Sequence, residues 1–158
     1  MPSHDERCAC DATRRTLLFG SAALIFAPAA RAQTGELAPI APPESPTREA
    51  FMRRALEMRR ISVERGDQGY GAVIVKDGRI VGEGISAVIT ANDPTAHAEM
   101  QGIRDAARRL GTRDLSGCEM YGSSRACPMC EAGAYWARIS RLYHGEGIAD
   151  AGAPRLSR

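Results

Sequence analysis

Two short motifs constrain this chain more than anything else in it: His97-Ala98-Glu99 and, thirty residues after His97, Cys127-Pro128-Met129-Cys130. The first opens a stretch in which Ala98, Ile103, Ala106, Ala107 and Leu110 supply a helical apolar side that ends at Gly111. In the second, Pro128 suits the first turn of a further helix running to about Ile139. Residues of metal-ligating type therefore stand at two helix starts, and a fold that uses them together must bring two helix N-termini to one point. The partial positive charge at a helix start favours thiolate over thiol, which fits Cys127 and Cys130 as anionic ligands.

An imidazole from His97 and sulfurs from Cys127 and Cys130 form a donor set that zinc accepts readily, and one Zn2+ per chain is expected. Three protein ligands leave a fourth position for water, as in catalytic rather than structural zinc sites, and water so held ionises near pH ~7. Glu99 is two residues from His97, so it is poorly placed to join the same coordination set, yet it stays near the water and is the natural general base and acid. Three plainer readings compete. His97 alone could be a structural histidine, Cys127 and Cys130 could be a redox pair, and Cys118 could complete a closed structural site, although it more simply packs as a small core residue.

The surrounding sequence places these motifs on an alternating frame. Thr47 caps a helix whose apolar positions Phe51, Ala55 and Met58, flanked by Met52 and Leu56, follow the helical period, with Arg53–Glu57 and Arg60–Glu64 as i,i+4 pairs on a solvated side. Tyr70 to Val75 reads as a strand, Asp77-Gly78 as a hairpin turn, and Ile80 to Ile89 as the returning strand. Asn92-Asp93-Pro94-Thr95 is turn chemistry before the His97 helix. Cys118 to Tyr121 and Arg141 to His144 are the remaining strand candidates. The predicted order is helix, strand, strand, helix, strand, helix, strand, which is an α/β chain with a mixed sheet and helices on its faces.

With these residues in place, His97-Ala98-Glu99 followed by Cys127-x-x-Cys130 resembles the zinc signature of the cytidine/deoxycytidylate deaminase superfamily. Asn92 to Glu99, Gly71-Ala72-Val73-Ile74-Val75 and Tyr135-Trp136-Ala137-Arg138 are most similar to the guanine deaminase branch, with the tRNA adenosine deaminases close behind. The resemblance runs from about Thr47 to Tyr143. It implies a three-layer α/β/α cytidine-deaminase-like sandwich, a homodimer, and zinc-dependent hydrolytic loss of ammonia from a small nucleobase or nucleoside, a guanine-like purine being favoured. An alternative is a catalytically weak or inactive zinc-binding relative that serves as a binding or scaffold protein.

The departures from the family pattern fall around the substrate. The resemblance implies Glu-Pro before the first cysteine, where this chain has Arg125-Ala126, so a carboxylate becomes a cation at the pocket edge. It also implies a base-gripping asparagine after the second strand, where Gly84-Ile85-Ser86-Ala87 stands and Ser86 can offer only a hydroxyl. Substrate-binding candidates are Tyr70, as a stacking surface, Ser86 and Asn92. Tyr70, Tyr135 and Trp136 are chiefly core or interface candidates, the pocket role being the second reading of Tyr70.

The ends of the chain add context. Arg14-Arg15 before the apolar run Leu17 to Ala30 and the small-x-small Ala30-Arg31-Ala32 read as a twin-arginine-type signal peptide over residues 1–32, with cleavage after Ala32 and a periplasmic or otherwise exported product. The run is shorter than the roughly 20 residues that span a bilayer, so no stable membrane span is expected after cleavage. Export of an already folded protein would let zinc occupy the thiolates before they meet an oxidant. Residues 33–46 form a proline-rich lead-in, and 47–158 the zinc deaminase-like domain with a short C-terminal tail. The net charge of +2 over 158 residues, with no basic tract, argues against a nucleic-acid partner and for a small molecule.

Overall fold

A computed structural model of the chain describes residues 38–156. The signal-type segment 1–32 and residues 33–37 of the lead-in lie outside the described residues.

Helix α1 (Arg48–Glu64) starts where Thr47 caps it, its hydroxyl accepting the Ala50 N–H at 3.2 Å. Phe51, Met52, Ala55 and Met58 are buried along one side. Arg60 pairs with Glu64 as expected, but the Arg53–Glu57 pair does not form. Glu57 instead takes Arg54 at 2.6 Å, because the Arg54 guanidinium is fixed by both oxygens of Glu83 at 2.6 and 3.1 Å. That arginine ties the helix to the sheet, so this side of α1 is not simply a solvated face.

Strands β1 (Gly71–Lys76) and β2 (Arg79–Ile85) form the hairpin. Its turn residues Asp77 and Gly78 both have positive φ, 49° and 72°, the geometry for which Asp-Gly is selected. The returning strand stops at Ile85, not Ile89. Beyond it the Ile89 and Thr90 amides turn to the Asp67 carboxylate, at 3.0 and 2.8 Å, and are lost to a ladder.

Helix α2 (Ala98–Leu110) ends at Gly111, whose φ of 64° gives the left-handed cap. Strand β3 (Glu119–Gly122), helix α3 (Pro128–Trp136) and strand β4 (Arg141–His144) make one crossover unit, with β3 and β4 parallel. Helix α3 ends before Ile139, because Arg138 adopts φ 63° and Ile139 drops into the core. A fifth strand, β5 (Ala149–Gly152), pairs antiparallel with β4. Ala149-Asp150-Ala151-Gly152 holds no β-branched or aromatic residue, so its propensity carried no signal.

The sheet order is β2-β1-β3-β4-β5. Side-chain alternation builds a core on each face. Val73, Val75, Tyr121 and Tyr143 pack with Phe51, Ala55 and Met58 under α1. Ile74, Met120 and Leu142 pack with Ile103, Ala106 and Ala134 under α2 and α3. The result is the expected three-layer α/β/α sandwich around a mixed sheet. Among the described residues no helix is long and apolar enough to cross a membrane.

One contact sets the position of α2 closely. A Cβ added at Gly84 of β2 would stand 2.0 Å from the Ala98 carbonyl oxygen and 2.4 Å from the Gly102 nitrogen. Only glycine lets helix backbone rest directly on strand backbone there. The first turn of α2 is thereby pressed against the end of β2, and that turn carries the chemistry.

Candidate metal centre

His97 is the N-cap of α2 and Cys127 the N-cap of α3, with Cys130 in the first turn of α3. Both helix starts face one point, as the sequence required. His97 Nδ1 lies 3.6 Å from Cys127 Sγ and 3.5 Å from Cys130 Sγ, and the two sulfurs are 3.6 Å apart. Tetrahedral zinc, with Zn–S of about 2.3 Å and Zn–N of about 2.05 Å, separates two sulfurs by about 3.8 Å and sulfur from nitrogen by about 3.6 Å. The three atoms therefore already stand at the edges of a zinc tetrahedron. All three cysteines of the described residues are free.

The fourth corner is bordered by Glu99, whose Oε2 is 3.5 Å from Cys130 Sγ. Glu99 is only 6% exposed. Burial raises its carboxyl above the usual carboxylate range, against the opposing pull of its backbone hydrogen bond and of Cys130. Burial also pushes the Cys130 thiol well up, and the Glu99 charge adds to it. Without a cation, a carboxylate and a thiol are thus held in a place that penalises ionisation of both. A divalent ion at the centre of the three donors removes that conflict, so the residues present fit zinc.

Tyr70, His97, Glu99 and Cys127 line a cavity of about 530 Å³, and Gln68, Ser124 and Arg125 complete it. Tyr70, the expected stacking surface, is therefore at the cavity and 45% exposed. The other two substrate candidates are not brought there. Ser86 is buried with its hydroxyl donating to Asp67 Oδ1 at 2.7 Å, so it has no free group to present. Asn92 is exposed in the turn before α2 with φ 50° and lines none of the cavities beside the centre.

Asp67 is the residue that sequence reasoning passed over. Its carboxylate accepts from Ser86 and Thr90 hydroxyls and from the Gln68, Ile89 and Thr90 amides, all within 3.0 Å. Burial alone would raise its pKa, but these donors outweigh it and hold the carboxyl far below the usual range. Asp67 thus joins the segment bearing Gln68 and Tyr70 to the loop that leads into His97. Only an Asp before Gln68-Gly69 marked it in the sequence, and nothing local pointed to partners some twenty residues away.

The remaining candidates separate cleanly. Cys118 is fully buried in the core under α2 and α3, and the metal-ligating group among the described residues contains only His97, Cys127 and Cys130. A four-ligand site using Cys118 is therefore not formed. Trp136 is 73% exposed, which removes it from the core.

The cytidine and deoxycytidylate deaminase zinc-binding region matches residues 45–146 of this chain. Over 104 residues the chain is 45% identical to guanine deaminase of Bacillus subtilis (strain 168), covering 65% of this chain and 67% of that protein. It is 40% identical over 95 residues to the tRNA-specific adenosine deaminase of Aquifex aeolicus (strain VF5), covering 60% and 63%. The crystal structure of the Bacillus subtilis guanine deaminase superposes with a TM-score of 0.61 at 44% identity, over 63% of this chain and 64% of that one. Guanine deaminase of Nitrosomonas europaea gives 0.60 at 26% identity, over 62% and 58%. The matched segment thus spans 58–67% of the length of these relatives.

Proposed function

The chain belongs to the cytidine and deoxycytidylate deaminase family, and from that premise we propose that it removes an amino group from a small nucleobase or nucleoside by hydrolysis, releasing ammonia. The observation that carries this reading is the meeting of His97 Nδ1, Cys127 Sγ and Cys130 Sγ at zinc-tetrahedron spacings with the Glu99 carboxylate 3.5 Å from one of the sulfurs. A structural zinc site has no need of that carboxylate.

A zinc ion there would be held by His97, Cys127 and Cys130 and would supply an activated water near neutral pH. The protein's own groups do the rest. Glu99 accepts a proton from the attacking water and delivers it to the amine nitrogen as the carbon–nitrogen bond breaks. Tyr70 offers an aromatic face at the cavity for the ring to stack on. The first turns of α2 and α3 fix the geometry.

A guanine-like purine is the favoured substrate, since the guanine deaminases of Bacillus subtilis and Nitrosomonas europaea are among the relatives. The tRNA-specific relatives raise a polynucleotide as the other option. The net charge of +2 speaks for the small molecule, because strand binding draws on a continuous cationic surface. We further propose export after cleavage behind Ala32 and assembly as a homodimer.

The test is ammonia release from guanine, adenosine, cytosine and cytidine by zinc-loaded protein beginning at Gln33. Turnover of at least one of them, lost in the Glu99→Gln variant, is the expected result. Silence across the panel with one zinc bound per chain overturns the enzyme reading in favour of a binding role.

A further inference from the structure

Arg125 lies in the link between β3 and α3, and that link is fixed at both ends. At its start Ser123 clasps Gly71: the Ser123 N–H donates to the Gly71 carbonyl at 2.8 Å, and the Ser123 hydroxyl accepts the Gly71 N–H at 3.0 Å. At its end Cys127 is the N-cap of α3 and stands against His97. The clasp ties the link to the residue that follows Tyr70. Tyr70 and Arg125 therefore line one cavity with Glu99 from two segments bonded to each other.

The acids that share a cavity with Arg125 are engaged elsewhere. Glu99 is buried beside the metal ligands, and Glu131 accepts the Arg155 amide at 3.1 Å. The Arg125 guanidinium makes no ion pair and no hydrogen bond among the described residues, which leaves its donors for whatever enters the cavity.

The other groups at the cavity do not dictate what a ring must present to them. Gln68 carries an amide, and Ser124 and Tyr70 carry hydroxyls, each able to donate or to accept. His97 and Cys127 belong to the metal and Glu99 to proton transfer. A guanidinium, by contrast, only donates and does not lose its proton. Among the residues lining the cavity, Arg125 is thus the one with a fixed preference. A ring oxygen satisfies it, whereas a ring amino group meets it donor against donor.

We propose that Arg125 is a specificity-determining residue that selects amino heterocycles also bearing a ring carbonyl, guanine-type or cytosine-type rings, over rings without one. This deepens the deaminase reading and rests on it for the fate of the amine, while the choice of ring can be read from binding alone. The ring stacks on Tyr70 with its amine-bearing carbon toward Glu99, and its carbonyl oxygen accepts from Arg125.

Two matched pairs test this with zinc-loaded protein: guanine against 2-aminopurine, and cytosine against 4-aminopyrimidine. Each member has a single amine, and the members of a pair differ in the ring carbonyl and the proton that accompanies it. The rings also differ in intrinsic reactivity, so the readout is how the ratio of their kcat/KM values changes with the side chain. Arg125→Gln, which keeps a donor but loses the charge, should lower the carbonyl-to-plain ratio by about three- to tenfold. Arg125→Glu, which only accepts, should lower it by about tenfold or more. Arg125 is exposed, and both variants should keep the zinc content and thermal midpoint of the parent, which separates a change of preference from a loss of structure. A ratio unchanged in both variants overturns the proposal and leaves deamination standing. So does a parent that acts only on rings without a carbonyl, or only on an RNA stem-loop. If nothing is turned over, calorimetric titration of the same pairs decides. Tighter binding of the carbonyl ring by the parent, with that advantage lost in Arg125→Glu, upholds the proposal while deamination fails; equal binding, or none, overturns both.

Discussion

Glu99 Oε2 and Cys130 Sγ stand 3.5 Å apart although thirty-one residues separate them in the chain. The carboxylate reaches the metal-ligating atoms from the first turn of α2, while the sulfur comes from the first turn of α3. It is near enough to exchange protons at the open corner and is not one of the three ligands. Glu99→Gln keeps the shape of the side chain and one hydrogen-bonding oxygen but cannot carry a proton. The expected outcome is unchanged zinc content and circular dichroism with kcat for ammonia release lower by about 10²–10⁴. A variant within a few-fold of the parent would assign the proton transfers elsewhere.

The metal should be inseparable from the geometry of the two helix starts. Cys127→Ser replaces one thiolate at the α3 N-cap, and metal analysis should show that most of the one zinc per chain is lost. Chelation of the parent protein should lower the thermal midpoint, since a site loaded at about 1,000 times its Kd adds about 4 kcal/mol to folding. Zinc loading should also release protons, because the Cys130 thiol is held protonated by burial and by Glu99 until the ion arrives. Apparent zinc affinity measured between pH 8 and 6 should therefore fall as the pH falls. A pH-independent affinity would contradict thiolate ligation.

The frame of this site was legible because its signals are local. The Thr47 cap, the Asp77-Gly78 turn, the Gly111 stop and the Pro128 start each act within a few residues, and each stands where the sequence put it. So do the three metal-ligating residues, whose chemistry is rare enough to be recognised in combination. The walls of the cavity were less legible, because they depend on contacts between distant segments. Ser86 was read as a free hydroxyl when its partner, Asp67, sits in a different loop. Glu57 was matched to Arg53 by helical spacing, while Glu83 on β2 decided which arginine it would meet. Strand β5 has no intrinsic preference for its conformation and exists by pairing with β4.

The Asp67 network predicts a specific weakness in acid. Its carboxyl is held below its ordinary value in the folded protein, so the stability it contributes is fully present above the unfolded value of about 3.9 and is lost as the pH falls through the folded value. Asp67→Asn removes this dependence, because an amide does not titrate there. Glu49, Asp93 and Asp114 are also lowered and are lost in acid by both proteins, so the difference between the two melting curves isolates Asp67. Thermal midpoints recorded from pH 7 to 3 should start lower for the variant, with a gap that is constant down to about pH 4 and narrows progressively below it. A constant offset across that range would mean that the charge of Asp67 is not what holds the loop. The variant should also raise KM more than it lowers kcat, since Gln68 and Tyr70 lose their anchor while the metal ligands keep theirs.

The close approach at Gly84 joins fold stability to the metal. Gly84→Ala places a methyl group 2.0 Å from the Ala98 oxygen and 2.4 Å from the Gly102 nitrogen, and both are backbone atoms that no rotamer change can move. Helix α2 must therefore shift away from β2, at a cost of about 3 kcal/mol or more, the upper end of what overpacking usually exacts. The same shift carries His97 and Glu99 with it, since they occupy the N-cap and first turn of that helix. Urea unfolding should show the loss of stability, and zinc titration should show weaker binding in the fraction that remains folded. Gly147→Ala is the matched control: nothing lies within 4 Å of the added methyl, and it should stay within about 0.5 kcal/mol of the parent with full zinc affinity. Loss of stability at Gly84 with zinc affinity intact would show that α2 recovers its place by moving the strand, so that β2 rather than the helix start is the compliant element.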